Sequence, residues 1–216
     1  MAQLVYPDGS IVTRTYTARN LLQQVDYDAD GAGPDPASLV ASFVYDAGGR
    51  ETSRTHGNGI VTNRTYNRQD NLVTSIDVPG YAGLSFSYSY DENKNVTSET
   101  TGGVMAGYSW TASYDAEDRL VSWQRRNGDS QSWTLTLVGD WQQFVENGTT
   151  QNRTHGPTHE LLAIDGTGLT YDPKGNLPQD HEGKTYVWDF DNHLSSVTVP
   201  ADASGIEGTH TYRYER

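Results

Sequence analysis

One short unit recurs along this 216-residue chain, and the recurrence restricts its fold more than any other feature. An aromatic anchor is followed by Asp or Asn, then turn formers, then an apolar residue six positions on. Tyr66-Asn67 leads to Asp70-Asn71-Leu72, Tyr90-Asp91 to Lys94-Asn95-Val96, and Tyr114-Asp115 to Asp118-Arg119-Leu120. Tyr171-Asp172 leads to Gly175-Asn176-Leu177, and Trp188-Asp189 to Asn192-His193-Leu194. Tyr16 leads to Leu22 with Asn20 in the turn. Tyr45-Asp46 leads to Gly49-Arg50 but has Glu51 at the sixth position, and His155-Gly156 leads to His159-Glu160-Leu161 as a degenerate copy.

The anchors lie 29, 21, 24, 24, 41, 16 and 17 residues apart. The first gap holds a Gly/Pro/Asp loop insertion, Asp28 to Pro36. The 41-residue gap is about two units long, and its anchor is blurred in the stretch from Trp133 to Trp141, so the repeats are degenerate over about 121–165. A further anchor, Tyr214, is followed by only two residues. The expectation is a single array over residues 1–216, truncated at its C-terminal end and part of a longer one.

Each unit reads as a β-hairpin. Asp, Asn and Gly form turns because they tolerate φ > 0 or hydrogen-bond their own backbone. The flanks alternate with period two, as half-buried strands do. Leu84-Ser-Phe86-Ser-Tyr88-Ser-Tyr90 puts four apolar side chains on one face and three serines on the other. Tyr108, Trp110, Ala112 and Tyr114 repeat the pattern, as do Trp133, Leu135 and Leu137, and Tyr186, Trp188 and Phe190. Gly57-Asn58-Gly59 and Asn127-Gly128-Asp129 read as the opposite turns. No stretch carries a capped 3.6-residue apolar stripe. A lone hairpin is marginal in water, but stacked hairpins bury a shared face. The predicted fold is therefore all-β: repeated antiparallel hairpins forming a long curved sheet, each anchor packing on the turn of the next unit.

Composition narrows the function. With no Cys there is no disulfide, thiolate metal site or cysteine nucleophile. A net charge of −13 gives no basic stripe to neutralise phosphates, which argues against a nucleic-acid partner. No run approaches the roughly 18 apolar residues of a membrane-spanning helix. The N-terminal residues do not form a secretory signal.

The motif Tyr-Asp-x-x-(Gly/Asp/Asn/Lys)-(Asn/Arg)-Leu resembles the YD-repeat, or RHS-repeat, family, best at Tyr45, Tyr66, Tyr90, Tyr114 and Tyr171. The resemblance runs from Tyr6 to Tyr214. It implies a strip of sheet spiralling into a hollow shell, such as bacterial polymorphic toxins and toxin-complex proteins wrap around a toxic C-terminal domain. It also implies a secreted or cell-surface setting, with the export signal outside this chain, and partners that are further YD repeats and an enclosed toxin domain. In the animal relatives the shell belongs to an adhesion protein. The repeat anchors Tyr16, Tyr45, Tyr66, Tyr90, Tyr114, Tyr171, Trp188 and Tyr214 then have a structural role, and no residue is assigned a catalytic one.

Other residues offer alternatives. Asp26, Asp28, Asp30 and Gly31 match the first half of a calcium loop, but the twelfth position is Ala37 instead of a bidentate Glu. The same residues also read as an acidic turn between strands. His155 and His159 have zinc-like spacing, yet Gly156-Pro157 disfavours the helix this needs, and the register makes them a decayed repeat. Carboxylates are plentiful, but nothing selects the pair that glycosidase chemistry requires. The Tyr and Trp rings suit stacking on glycans or packing on one another; period-two placement favours packing.

Overall fold

In the computed structural model the described residues are 1–31, 38–201 and 206–214. The chain is a succession of strands: β1 (Ala2–Val5), β2 (Ile11–Tyr16), β3 (Leu22–Asp28), β4 (Leu39–Tyr45), β5 (Glu51–His56), β6 (Val61–Tyr66), β7 (Val73–Val78), β8 (Leu84–Tyr90), β9 (Val96–Gly102) and β10 (Trp110–Tyr114). There follow β11 (Leu120–Arg125), β12 (Ser130–Leu135), β13 (Trp141–Glu146), β14 (Thr149–His155), β15 (Leu161–Ile164), β16 (Thr167–Gly168), β17 (Thr185–Trp188), β18 (Leu194–Val199) and β19 (Gly208–Thr211). A 3-10 turn, Gly103–Met105, follows β9.

Strands β1 to β16 pair in chain order in one sheet, and β17 to β19 pair in chain order in another. The pairing is antiparallel throughout the registers described below, so the all-β hairpin fold expected from the repeat is the fold observed. The chain divides into two compact units, Met1–Arg119 with Trp123–Gly128, and Leu120–Ser122 with Asp129–Arg216.

Register gives each sheet two unlike faces. In the first unit, Phe43 lies opposite Arg54, Arg64 opposite Ile76, Ile76 opposite Phe86, Tyr88 opposite Glu99, and Glu99 opposite Trp110. This is the aromatic and charged face. The other carries Ser53 opposite Asn63, Thr65 opposite Ser75, Asp77 opposite Ser85, Ser87 opposite Thr100, and Ser98 opposite Thr111. Its polar side chains bond across the strands: the Thr65 and Ser75 hydroxyls lie 2.8 Å apart, and Ser53 donates to the Asn63 amide oxygen at 2.9 Å. The alternation read at Leu84 to Tyr90 is this division.

The core is thin. Ala41 and Ile164 are the buried apolar residues among those described. Aromatics expected to form a core instead lie half-buried against same-face neighbours, as cross-strand pairs do. Arg54 lies 5.0 Å over Phe43 and also pairs with Glu51, which bonds Arg64 too. Long charged side chains thus cover apolar surface with their stems while their heads pair with one another.

Some local readings need correction. Leu137 and Phe190 are turn residues, 94% and 71% exposed, and do not continue the strand faces of Trp133 and Trp188. Tyr66 stands opposite Val73, one residue beyond Leu72, because its loop is longer by one.

Candidate functional site

The repeated edge, where the anchors and their turns sit, is the structural site of this chain. At Tyr45 the N–H of Asp46 donates to the Arg50 carbonyl and the N–H of Gly49 donates to the Asp46 carbonyl. This is a three-residue hairpin loop: a type I turn followed by a left-handed residue, Gly49 at φ +85. The same two bonds recur at Thr17, Asp91, Asp115, Asp172 and Asp189. The left-handed residue there is Asn20, Lys94, Asp118, Gly175 and Asn192 in turn.

The geometry gives each motif position a task. The first-position carboxylate accepts the fifth residue's N–H: Asp46 from Arg50 at 3.0 Å, Asp91 from Asn95 at 2.9 Å, Asp115 from Arg119 at 3.0 Å, Asp172 from Asn176 at 2.9 Å. Its second oxygen accepts from the fifth side chain: Arg50 Nε at 2.6 Å, Asn95 Nδ2 at 3.1 Å, Arg119 Nε at 2.7 Å, Asn176 Nδ2 at 3.0 Å. That is why the fifth position is Asn or Arg. The fourth must adopt positive φ, so Gly, Asn, Asp or Lys stands there. The sixth is the anchor's cross-strand partner, as in Tyr16 with Leu22, Tyr45 with Glu51, Tyr90 with Val96 and Trp188 with Leu194. The register shifts by one at each of these anchors, a bulge that swings the anchor ring off the ladder.

The swung ring reaches the preceding unit. Tyr45 donates its hydroxyl to the carbonyl of Leu22 at 2.7 Å, Tyr66 to Glu51 at 2.7 Å, Tyr90 to Val73 at 2.6 Å and Tyr114 to Val96 at 3.0 Å. Tyr171 donates to Leu161 at 2.7 Å, Tyr214 to Leu194 at 3.1 Å, and the Trp188 indole N–H to Leu177 at 2.9 Å. The acceptor is always the residue opposite the previous anchor or at its sixth position. It lies beyond the backbone rungs: between β5 and β6, for example, the register ends at Ser53 opposite Asn63. The hydroxyl therefore satisfies a carbonyl that the ladder leaves over. Anchors contact the preceding unit through this bond; the expectation of packing on the next unit's turn had the direction reversed.

The turns themselves touch along the edge. Arg19 donates to the Asp46 and Ala47 carbonyls at 2.7 and 2.6 Å, Arg50 to Asn71 at 2.7 Å, and Asn95 to Asp118 at 2.7 Å.

The structure also resolves the blurred interval. The N–H of Thr136 donates to Asp140, that of Gly139 donates to Thr136, and Gly139 takes φ +98. Leu135 thus holds the anchor place opposite Trp141, with the same register shift. The 41-residue gap contains one hidden unit. At His155 the turn is likewise retained, with His159 left-handed at φ +68 and His155 opposite Leu161.

Electrostatics follow from these bonds. At Asp46 and Asp172 the side chains of Arg50 and Asn176 hold the carboxyl below its ordinary range. At Asp189 the His193 N–H leads; at Asp91, Asp115 and Asp180 desolvation pushes upward first and the hydrogen bonds outweigh it. A lowered carboxylate stabilises the fold above its unfolded pKa and loses that contribution as pH falls through the folded value. Thermal unfolding measured from pH 6 downward should show the melting temperature falling steeply below about pH 4. The drop should be smaller in Asp115→Asn. On the aromatic face, desolvation and the neighbouring Glu99 push the Tyr88 hydroxyl up to about 12.

The other candidates fall as follows. Asp26 and Asp28 are strand residues of β3, opposite Thr13 and Ile11, so β3 runs further than the acidic-turn reading placed it. Asp26 accepts from Gln24 with both oxygens, and Asp28 Oδ1 accepts the N–H groups of Asp30 and Gly31. Ala37 and most of the Asp28 to Pro36 insertion lie outside the described residues. Among the described residues no three His, Asp or Glu side chains gather as a metal cluster. In the second unit, Trp133, Trp141 and Phe144 form a cluster with centroids 5.7–5.8 Å apart, and Arg153 lies 4.7 Å over Trp141.

No family model matches the chain. It is 30% identical over 179 residues to the tRNA3(Ser)-specific nuclease WapA of Bacillus spizizenii, an overlap of 81% of this chain and 7% of that protein. Among solved structures it is similar to a chain of the Tc holotoxin pore of Photorhabdus luminescens, with TM-score 0.59, 17% identity, and 99% of this chain and 12% of that one covered. It is also similar to a chain of the TcdB2-TccC3-Cdc42 structure, with TM-score 0.58, 18% identity, and 96% and 12% covered. The chain thus spans about a tenth or less of the length of these relatives. The solved structures share the hairpin fold of this chain, and its repeated Tyr-Asp motif resembles that of the YD-repeat, or RHS-repeat, family.

Proposed function

We propose that this chain is a non-enzymatic wall segment of a YD/RHS-repeat shell that encloses or displays a toxin or effector domain of a larger secreted or surface protein. The observation that carries this reading is the unit-to-unit bond: from Tyr45 to Tyr114 successive hairpins are fastened to their predecessors by an anchor hydroxyl, which suits indefinite extension of one thin sheet. The turn carboxylates are engaged by backbone and side-chain donors, which suits structure over acid–base work. The relative is named for a nuclease activity, and a charge of −13 fits a wall better than a nucleic-acid-handling part of such a protein.

Electron cryo-microscopy of the full natural gene product tests the proposal. The expected image is a closed sheet containing these hairpins around density for another polypeptide. An isolated open strip with nothing inside would reject it. A second reading is a carbohydrate- or partner-binding adhesion module, favoured by the Trp133, Trp141 and Phe144 cluster with Trp141 38% exposed. Glycan binding that Trp141→Ala abolishes, in a particle without cargo, would select it.

A further inference from the structure

The anchor bonds run unbroken from Tyr45 to Tyr114 and resume at Tyr171. Two successive anchors between them differ. Leu135 has no donor to offer. At His155 the repeat rule places the acceptor at the Trp141 carbonyl, and among the described residues no hydrogen bond joins the two.

Besides an exposed side-chain hydrogen bond from Gln143 to Asn152 at 3.1 Å, two contacts stand near the place of the missing hydroxyl bond. Arg153 of β14 lies over the Trp141 ring of β13, and His159 Nδ1 lies 2.9 Å from Asp140 Oδ2, joining one turn to the next. Both are electrostatic. The His159 side chain is 57% exposed, so its pair with Asp140 is weak and salt-screened. The Trp133, Trp141 and Phe144 rings all belong to β12 and β13, so they hold that hairpin together without fastening it to β14. The Trp133 indole N–H is moreover buried without a partner, which subtracts from what the cluster contributes. Beyond β14 the pairing is short: β15 has four residues and β16 two.

We infer that the junction between β13 and β14 is a built-in opening seam, less firmly fastened than a junction such as β7–β8 that an anchor hydroxyl spans. The inference concerns the chain itself and stands whether or not the array encloses a cargo. Its ionic pair also gives the seam a direction in pH. Hydrogen bonding to Asp140 and its charge raise the His159 pKa, with Glu160 adding to them. The pair's contribution is therefore full below the unfolded His value and fades as pH rises through the folded one.

Hydrogen exchange followed by mass spectrometry on the whole 216-residue chain tests this. Amides paired between β13 and β14 should exchange about fivefold faster than those between β7 and β8, which the Tyr90 bond spans; fivefold corresponds to about 1 kcal/mol for one hydrogen bond. His155→Tyr supplies the missing donor and should slow the seam toward the β7–β8 rate. Tyr90→Phe should speed β7–β8 exchange about fivefold and leave the seam unchanged. Equal protection at the two junctions in the unaltered chain would overturn the inference, and so would a Tyr90→Phe variant with unchanged exchange at β7–β8.

Discussion

Replacing Gly103 with Ala should destabilise the chain by roughly 3 kcal/mol or more. Gly103 has φ +59, which an L side chain rarely adopts. A Cβ there would also lie 2.4 Å from the Ala82 carbonyl oxygen and from the Gly83 carbonyl carbon and oxygen. These are backbone atoms of the turn between β7 and β8, which the Tyr81 to Val78 and Leu84 to Tyr81 hydrogen bonds hold in place. Neither side can yield without breaking that turn. Gly80→Ala is the matched control in the same turn, because a Cβ there meets nothing within 4 Å. Urea denaturation should show a large fall in the midpoint for Gly103→Ala and a shift within about 0.5 kcal/mol for Gly80→Ala.

Changing Tyr45, Tyr66, Tyr90 and Tyr114 together to Phe should remove about 4 kcal/mol, near 1 kcal/mol for each lost hydrogen bond. The rings and their packing stay; only the four donors go. Each acceptor carbonyl, on Leu22, Glu51, Val73 and Val96, then lies beyond the last backbone rung without its partner. Because these bonds couple units, the loss should also broaden the unfolding transition, as nearest-neighbour coupling in repeat proteins weakens. A sharp transition with an unchanged midpoint would mean that the rings alone carry the coupling.

Much of this architecture was legible in the residues. The Asp, the left-handed position and the Asn or Arg after it were all visible as turn chemistry, and the two-faced strands as alternation. What the sequence could not display was the purpose of the anchor hydroxyl, since its acceptor belongs to a unit some 20 residues away. The hidden unit at Leu135 escaped because aliphatic Leu stands for Tyr and Thr136 for Asp. Thr136 does the same work, its Oγ1 accepting the Asp140 N–H at 3.0 Å, so Thr followed by Gly and Asp three and four residues later was the available signal. Leu137 and Phe190 misled because an apolar turn residue continues a period-two pattern by accident. Asp26 and Asp28 read as loop residues because Asp is a poor strand former, and pairing with Ile11 to Thr13 overrides that preference.

The coupling bond is tested most directly by comparing Tyr90→Phe with Tyr81→Phe in urea denaturation. Tyr90 donates to Val73 at 2.6 Å, whereas Tyr81 is a turn residue, 55% exposed. The prediction is a loss of about 1 kcal/mol for Tyr90→Phe and a change within about 0.5 kcal/mol for Tyr81→Phe. Equal effects of the two substitutions would contradict the account.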